Sequence, residues 1–321
     1  MEQPERITVI GAGFMGSVIA TLYARHGFAV ALHDAAPDAL ASFPERALPI
    51  AHSLSMPNDS REAIVGRVKR VGNLADAVAD AQLVHESIQE DLPLKQALFQ
   101  QLDHLCARDV VLATNTSTFL LSELCRDVLH KDRVIGIHYI TPAHIVRAVE
   151  VIIADFTPPE RIAWARRFVD GIDHVAVVCR ESPGFIVNRI QGTMLAEIHR
   201  IVDEGLATPE DVDTAIRLSL GPRWALWGAL ACEDLIVSKR TMLAMLEYML
   251  ERTGQPQYRA THSLLEHVRQ GRLGAIVGKG WYDWGNRYPE LVMERDRQLA
   301  DMFSWLTSRD SESLVPKVQT L

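Results

Sequence analysis

The chain has 321 residues, 48% of them hydrophobic and 23% charged, which is enough for two domains with separate cores. A net charge of −8 argues against nucleic acid or an anionic membrane as a partner, and no apolar run approaches the roughly 20 residues that cross a bilayer. The polar N-terminus does not resemble a signal peptide.

Histidines and cysteines give no metal-ligand pattern. The histidines form no ligand cluster, so we expect no metal. The cysteines are widely spaced, so we expect reduced thiols in a cytoplasmic protein. They are Cys106, Cys125, Cys179 and Cys232.

The first predicted elements are a strand, a glycine-rich turn, a helix and a second strand. A β-branched run from Arg6 to Ile10 precedes Gly11-Ala12-Gly13-Phe14-Met15-Gly16, and a helical pattern then continues to Gly27. A second apolar run, from Ala29 to Leu32, leads to Asp34. Strand, G-x-G-x-x-G, helix, strand and acid in this order are typical of a dinucleotide-binding site.

Each glycine of the turn has a physical task in that interpretation. Gly11 makes the tight turn, Gly13 lacks the Cβ that would block a pyrophosphate, and Gly16 lets the helix approach the strand. Asp34 is placed to bind the adenosine ribose and to repel a 2′-phosphate, which favours NAD over NADP. The alternative is a strand–helix turn that binds nothing. The predicted cofactor residues of this region are Gly11, Gly13, Phe14, Met15, Gly16 and Asp34.

Strand-like and helix-like segments alternate over the first 180 residues. This alternation predicts a mostly parallel, doubly wound α/β sheet. A loop containing Thr141-Pro142 is too short for a helical crossover, so the strands on either side of it are predicted to be antiparallel. The predicted strands are Ile7–Ile10, Val30–His33, Val68–Val71, Leu83–Glu86, Val110–Ala113, Val134–His138, Ala148–Ile153 and His174–Val178, with helices such as Leu92–Leu105 and Pro159–Val169 between them.

The pattern is helical from Pro183 onward. We therefore predict a dinucleotide-binding domain over residues 1–182 and an all-α domain over residues 183–321, which would contact substrate and form a homodimer. Pro183 can open a helix, because its missing N–H would be unpaired there in any case. Helices are predicted from Phe185 to Glu204 with Gly205 as the C-cap, from Thr208-Pro209 onward, at Leu235–Arg252 and at Gln257–Gln270.

Two residues of the last strands suit proton transfer. His138 ends an apolar strand at the carboxyl edge, where ligands bind in such sheets, and histidine is well suited to act as a base near neutral pH. Glu150 lies in the antiparallel return strand, which brings its carboxylate near the imidazole, where it can fix the tautomer and stabilise an imidazolium. The alternatives are a structural histidine at a strand end and a glutamate that faces water.

Two further positions suit contacts with a substrate oxygen. Ser117 follows a strand at the same edge, and its hydroxyl can donate to the substrate, although a turn or N-cap serine is the alternative. Gly184, Asn188 and Gly192 are spaced i, i+4, i+8, which gives a helical stripe with little side-chain bulk. Either another helix or the substrate and nicotinamide would approach this stripe, and in the second case the Asn188 amide would bond the reacting carbonyl.

Several motifs, in order along nearly the whole chain, resemble those of the 3-hydroxyacyl-CoA dehydrogenase family. Besides the glycine-rich turn and Asp34, they are His85-Glu86-Ser87-Ile88-Gln89-Glu90 with Leu94-Lys95, Asn115-Thr116-Ser117, Gly136-Ile137-His138-Tyr139-Ile140-Thr141-Pro142, Glu150 within Val149-Glu150-Val151-Ile152, Pro183-Gly184-Phe185-Ile186-Val187-Asn188-Arg189, and Gly278-Lys279-Gly280-Trp281-Tyr282-Asp283.

The resemblance implies a Rossmann-type domain followed by an all-α domain, and NAD-dependent oxidation of an L-3-hydroxy group to the 3-oxo compound. It implies that His138 is the general base, that Glu150 is its partner, and that Ser117 and Asn188 orient the substrate oxygen. A protein that kept the fold and binds NAD without catalysis is the alternative.

The resemblance also places Glu90, Lys95 and Asn115 at the cofactor. Glu90 and Lys95 match family positions near the nicotinamide and its ribose. The alternative for these two residues is an exposed charge on the helix Leu92–Leu105.

Three departures from the family pattern bear on the substrate. Thr141 stands where asparagine is usual, so the loop has a hydroxyl in place of an amide. The segment Pro37–Arg67, where acyl-CoA members carry a helical arm, contains no lysine. Arg223, in an apolar and aromatic stretch, is a candidate for binding a substrate carboxylate, as in relatives that act on small free hydroxy acids. Stacking of Arg223 on Trp224 or Trp227 is the alternative. Both 3-hydroxyacyl-CoA and a free 3-hydroxy acid remain open as substrates.

Overall fold

The computed structural model describes residues 3–53 and 58–309 and contains an eight-stranded sheet. The strand order is β3-β2-β1-β4-β5-β6-β7-β8. The strands are β1 Arg6–Ile10, β2 Ala29–His33, β3 Val68–Val71, β4 Leu83–Glu86, β5 Val111–Thr114, β6 Val134–Tyr139, β7 Ala148–Ile153 and β8 Val175–Arg180. The predicted strands are therefore confirmed to within two residues at each end.

Neighbouring strands are parallel except at one pair. β6 and β7 run antiparallel, with His138 directly opposite Glu150, and β8 returns parallel to β7. The loop between β6 and β7 is too short for a crossover helix, as expected for an antiparallel connection. The prediction for this pair of strands is confirmed.

Helices cover both faces of the sheet and bury its apolar side chains. One core packs Tyr23, Phe43 and Trp164 against one face, and the other packs Phe99 and Leu124 against the opposite face. This is the doubly wound arrangement that alternating strands and helices predict. The helices of this part are α1 Phe14–Arg25, α2 Pro37–Ala41, α3 Phe43–Ser53, α4 Asn58–Gly66, α5 Leu74–Val78, α6 Leu92–Leu105, α7 Leu121–Leu124 and α8 Pro159–Asp170.

The rest of the described chain is helical. Contacts between residues divide the chain into two compact units, Met1–Leu195 and Ala196–Leu321, and the helix that follows β8 runs across this division. Within the described ranges, no helix is long and apolar enough to cross a membrane. The helices are α9 Val187–Asp203, α10 Pro209–Ala215, α11 Gly221–Trp227, α12 Ala229–Ile236, α13 Lys239–Thr253, α14 His262–Arg269 and α15 Tyr288–Ser308.

The predicted start of the first helix after the sheet is wrong. The helix begins at Val187 rather than at Phe185, and Pro183 does not open it, because Gly184 (φ +73°) and Phe185 (φ +50°) are left-handed and cannot continue a right-handed helix. Gly184 is therefore outside the helix, and only Asn188 and Gly192 of the predicted stripe lie on it.

Two later helices also differ from the prediction. The stretch Leu235–Arg252 contains a break, because Val237 is extended and Ser238 caps the next helix. The helix predicted at Gln257–Gln270 begins only at His262, after a 3₁₀ turn at Pro256–Tyr258. The predicted cap at Gly205, which has φ +66°, is confirmed, as is the start at Thr208, which accepts from the Asp211 N–H at 3.1 Å.

Candidate active site

The carboxyl ends of the central strands lie at one edge of the sheet. Ile10, Glu86, Thr114 and Gly136 are in register across β1, β4, β5 and β6. The residues that follow them therefore lie along the same edge, which is where doubly wound sheets bind ligands. The glycine-rich turn, the loop after β5 and His138 all occupy this edge.

The glycine-rich turn requires glycine at two of its three positions. A Cβ on Gly11, where φ is +103°, would lie 2.4 Å from the Ser87 carbonyl oxygen. A Cβ on Gly16 would lie 1.7 Å from the Gly11 carbonyl oxygen. A Cβ on Gly13 would meet nothing within 4 Å, so the space beside this backbone is open. The open space lies at the N-terminus of α1, whose free N–H groups suit a diphosphate.

A cleft of about 460 Å³ continues from the turn across the end of β2. Asp34 lines it, and the Asp34 carboxylate accepts from the N–H groups of Ala12 at 2.7 Å and Ala36 at 2.8 Å. These bonds hold a negative charge at the position where an adenosine ribose would bind. The open backbone at Gly13, the cleft and this carboxylate together fit NAD. Other residues that line the cleft include His33, Ser87, Ile88 and Leu94.

The side chains after the second glycine lie at the surface. Phe14 is 58% exposed, and Met15 is half-buried. The Met15 sulfur accepts a hydrogen bond from the Thr141 hydroxyl at 3.4 Å. Thr141 therefore links the loop after β6 to the glycine-rich turn.

His138 and Glu150 form a buried hydrogen-bonded pair. Nδ1 of His138 lies 2.8 Å from Oε2 of Glu150, and the two residues are 6% and 0% exposed. The interpretation of Glu150 as a glutamate facing water is therefore wrong. Since the carboxylate accepts at Nδ1, the neutral imidazole carries its proton there, and Nε2 is left as the basic atom. Within the described residues, Nε2 has no protein hydrogen-bond partner.

The other oxygen of Glu150 binds the start of α9. Oε1 accepts from the N–H groups of Ile186 and Val187, both at 2.9 Å. Burial alone would raise the pKa of Glu150, but the bonds from His138 and from these two N–H groups outweigh it and lower the pKa below its ordinary value. The carboxylate therefore stays ionised beside the imidazole.

Ser117 and Asn188 lie side by side. Nδ2 of Asn188 donates to the Ser117 carbonyl oxygen at 3.1 Å. Among the described residues, the Ser117 hydroxyl has only long contacts, at 3.4 Å, with Glu90 and Thr118. The structure thus brings together the two side chains expected to orient a substrate oxygen. Asn115, predicted to contact the cofactor, accepts from the Tyr139 N–H through its side-chain oxygen at 2.9 Å.

Glu90 holds the loop that contains Ser117. Its Oε1 accepts from the Thr116 hydroxyl at 2.6 Å and from the N–H groups of Ser117 at 3.0 Å and Thr118 at 3.1 Å. Partial burial alone would raise the pKa of Glu90, but the Thr116 bond and the charge of Lys95 lower it below its ordinary value.

Lys95 is buried rather than exposed. Its ammonium contacts Glu86 at 2.5 Å, Glu90 at 3.2 Å and the Ile88 carbonyl at 3.3 Å, which occupies its three N–H donors. These contacts link Lys95 to Glu90, and its predicted place at the cofactor stays a prediction. Glu86, which is 0% exposed, belongs to this cluster, although no role was predicted for it from the sequence. A carboxylate at the end of the apolar strand Leu83–Glu86 is the signal that points to it, because such a group requires a buried partner.

Arg223 lies on α11, in the second unit. Its Nε and Nη2 donate to the carbonyl and the hydroxyl of Ser219, both at 2.8 Å. The guanidinium is half-buried, and these bonds fix its orientation. Arg223 belongs to Ala196–Leu321, whereas His138 belongs to Met1–Leu195.

The C-terminal signature around Gly280 has a structural role within the second unit. Asp234, which is 3% exposed, binds the buried ammonium of Lys239 and accepts from the indole N–H of Trp284 at 2.8 Å and the Tyr282 N–H at 3.1 Å. A Cβ on Gly280 would lie 2.1 Å from an oxygen of Asp234, so only glycine lets the signature loop approach this buried pair.

Comparison with known proteins gives matches over both parts of the chain. The family described as "3-hydroxyacyl-CoA dehydrogenase, NAD binding domain" matches residues 6–182, and the corresponding "C-terminal domain" matches residues 184–284. A probable 3-hydroxyacyl-CoA dehydrogenase of Caenorhabditis elegans is 30% identical over 88% of this chain and 97% of its own length.

Two other proteins are also similar to this chain. A 5-formyl-3-hydroxy-2-methylpyridine 4-carboxylate 5-dehydrogenase of Mesorhizobium japonicum is 32% identical over 71% of this chain and 75% of its own length. The crystal structure of a 3-hydroxyacyl-CoA dehydrogenase from Archaeoglobus fulgidus superposes with a TM-score of 0.80 at 27% identity, covering 94% of this chain and 99% of that one.

Proposed function

Because the chain belongs to the 3-hydroxyacyl-CoA dehydrogenase family and is an NAD-dependent dehydrogenase that oxidises a 3-hydroxy group, we propose that His138 is its general base. The hydrogen bond of 2.8 Å between His138 and the buried carboxylate of Glu150 carries this proposal. It leaves Nε2 of His138 free to take the hydroxyl proton of an L-3-hydroxy substrate.

The residues around this pair have complementary tasks. When bound, NAD supplies the nicotinamide ring that accepts a hydride from the substrate carbon. Glu150 stabilises the imidazolium that forms when Nε2 takes the proton, and its bonds to α9 keep the carboxylate in place. Ser117 and Asn188 orient the substrate oxygen. The second N–H of the Asn188 amide stays available, because only one of the two is needed for the Ser117 carbonyl.

Substitution of His138 tests the proposed base. We expect His138→Gln to lower turnover by about two decades or more, a loss typical of a missing general base, while the Kd for NADH stays unchanged. NADH absorbance would be followed with 3-hydroxybutyryl-CoA, gulonate and carnitine as substrates, and NADH binding by fluorescence titration. Turnover of the variant at the wild-type rate would remove His138 from the mechanism.

A 3-hydroxyacyl-CoA and a small free 3-hydroxy acid remain the two candidate substrates. The free acid is favoured because Arg46 is not free to bind CoA. This arginine lies on the arm where the CoA phosphates would need cations. The Arg46 guanidinium is occupied by the carbonyls of Ala12 and Ala39 and by the hydroxyls of Ser17 and Ser42. The Mesorhizobium relative is named for a carboxylate substrate. Turnover of 3-hydroxybutyryl-CoA alone in the substrate panel would decide for CoA, and turnover of gulonate or carnitine alone would decide for the free acid.

We also propose that the chain forms a homodimer through its second unit. The described part of this unit exposes several large apolar side chains, and exposed apolar patches mark protein–protein contacts. We expect a mass twice that of one chain in sedimentation equilibrium at micromolar concentration, and the mass of a single chain would contradict the proposal. The exposed side chains include Leu206 at 73%, Met293 at 67%, Tyr248 at 60%, Ile276 at 59% and Trp305 at 55%.

A further inference from the structure

We propose that His85 and Asn115 are positioning residues for His138, because they bond the backbone of β6 on both sides of it. This inference rests on the proposed role of His138 as the base. His85 lies on β4 and Asn115 directly follows β5, so neither residue is on the strand that it supports. No substrate or cofactor contact is needed for this role.

The need for the two side chains arises from the unequal lengths of β5 and β6. The register between them ends at the pair Thr114 and Gly136, yet β6 continues to Tyr139. Among the described residues, no residue of β6 beyond Gly136 is paired with β5. Buried backbone groups require partners, since an unmade hydrogen bond there costs about 1–3 kcal/mol.

His85 and Asn115 supply the missing partners. Nε2 of His85 lies 3.1 Å from the Ile137 carbonyl oxygen, and the Tyr139 N–H donates to the Asn115 side-chain oxygen at 2.9 Å. Ile137 and Tyr139 are the two neighbours of His138 in the chain. The backbone of the proposed base is therefore fixed immediately before and immediately after its Cα.

The direction of every hydrogen bond around His85 is determined. Nε2 must donate to a carbonyl oxygen, so Nδ1 accepts from the hydroxyl of Tyr23 at 2.7 Å. Tyr23 in turn accepts from the hydroxyl of Tyr139 at 3.3 Å. His85 is 0% exposed, and burial lowers its pKa to about 3, so the ring stays neutral near pH 7. Near neutral pH, the ring therefore keeps one protonation state and one tautomer. Its Nε2–H continues to donate to the Ile137 carbonyl.

Fixing the backbone at these two points complements the bond from Glu150, which fixes the imidazole itself. Proton transfer depends on sub-ångström placement of the base, and a misplacement of 1 Å can cost about a hundredfold in rate. The two kinds of bond leave His138 little freedom to move away from the edge of the sheet.

The test compares His85→Leu with His85→Gln. Leucine removes the donor to Ile137, so we expect kcat to fall roughly tenfold, short of the loss for a 1 Å displacement, with the Kd for NADH unchanged. Glutamine places an amide N–H near the position of Nε2, so we expect it to restore most of the wild-type kcat. Equal kcat for wild type and His85→Leu would overturn the proposal.

A spectroscopic readout separates positioning from general damage. In protein labelled with ¹⁵N-histidine, the Nδ1–H resonance of His138 should shift or broaden in His85→Leu and stay unchanged in Thr8→Val. Thr8→Val is the matched control. Thr8 lies on another strand of the same sheet, β1, and the substitution removes the buried hydrogen bond of 2.6 Å from its hydroxyl to the Ala77 carbonyl oxygen. Equal changes in both variants would indicate a structural role alone and overturn the proposal.

Two further variants keep the outcome decisive. If His85→Leu does not fold, Asn115→Ala removes the acceptor of the Tyr139 N–H, and an unchanged kcat and His138 resonance would then overturn the proposal. His138→Gln separates a failure of the positioning role from a failure of the proposed function. If His138→Gln is inactive and His85→Leu is fully active, only the positioning role fails. If His138→Gln is active, the proposed function fails.

Discussion

At the scale of single residues, Glu150 has two tasks that use different oxygens. Oε2 holds Nδ1 of His138, and Oε1 accepts from the first N–H groups of α9. Both bonds favour the ionised carboxylate, which explains why the pKa of Glu150 is lowered although the residue is buried. One side chain thus orients the proposed base and holds the start of the helix that carries Asn188.

Exchanging Glu150 for glutamine tests the first of these tasks. An amide oxygen can still accept from Ile186 and Val187, but the amide N–H then faces Nδ1 of His138 and moves the imidazole proton to Nε2. The base would be in the wrong tautomer to accept a proton, so we expect turnover to fall by about two to four decades. Initial rates and the Kd for NADH, which should not change, provide the measurement.

Glu181→Gln is the matched control for this substitution. Glu181 follows β8 and accepts from the Ser122 N–H at 2.8 Å, so the variant removes a carboxylate close in sequence to the same region without touching His138. We expect its turnover to stay within about twofold of wild type, as for a surface substitution. A Glu150→Gln variant as active as this control would show that the carboxylate is not required.

At the scale of elements, β4 lies at the centre of the sheet and carries two buried polar side chains. Glu86 binds Lys95 and the Thr114 hydroxyl, and His85 binds Tyr23 and β6. All four residues of this strand are buried, so each polar group has a partner in the neighbouring elements. The strand thereby connects α1, α6, β5 and β6 near the site.

The buried histidine of β4 makes stability depend on pH. The ordinary pKa of histidine is 6.5, and that of folded His85 is lowered to about 3. Between these values the unfolded chain binds a proton that the folded chain does not. The free energy of unfolding therefore falls as the pH falls below 6.5, by up to about 1.4 kcal/mol per pH unit.

His85→Gln removes this contribution. Between pH 7 and pH 5, we expect the free energy of unfolding to fall by about 2 kcal/mol more in the wild type than in the variant. Urea unfolding at the two pH values measures the difference. His104→Gln, which changes an exposed histidine on α6, should behave as wild type. The same pH dependence in wild type and His85→Gln would contradict the lowered pKa.

At the scale of the whole molecule, the proposed chemistry and the proposed association belong to different units. The cofactor cleft, the pair His138–Glu150, Ser117 and Asn188 all lie in the unit Met1–Leu195. Arg223 and the exposed apolar side chains proposed to form the dimer contact lie in Ala196–Leu321. Measurements of NADH binding and of molecular mass therefore test separate parts of the molecule.

Much of the fold and part of the site follow from local patterns in the sequence. The strand pattern, the turn from Gly11 to Gly16 and the cap at Gly205 depend on residues close together in the chain, and all three are present in the structure. The contact between His138 and Glu150 follows from a short loop, because an antiparallel return with that spacing sets the two residues opposite each other. The domain boundary after Ser182 and the catalytic roles stay predictions.

Tertiary structure alone decided the features whose partners are distant in the chain. The start of α9 is fixed by Glu150, which is more than 30 residues away, and the break before α13 is accompanied by a bond from the Lys239 N–H to the Leu273 carbonyl at 3.1 Å. The burial of Lys95 between Glu86 and Glu90 and the bond from His85 to β6 arise in the same way. The sequence by itself determined the elements and their order, because periodicity and turn residues act locally. Helix ends and polar partners depended on which side chains folding brought together, because buried charges and N–H groups require partners wherever the fold provides them.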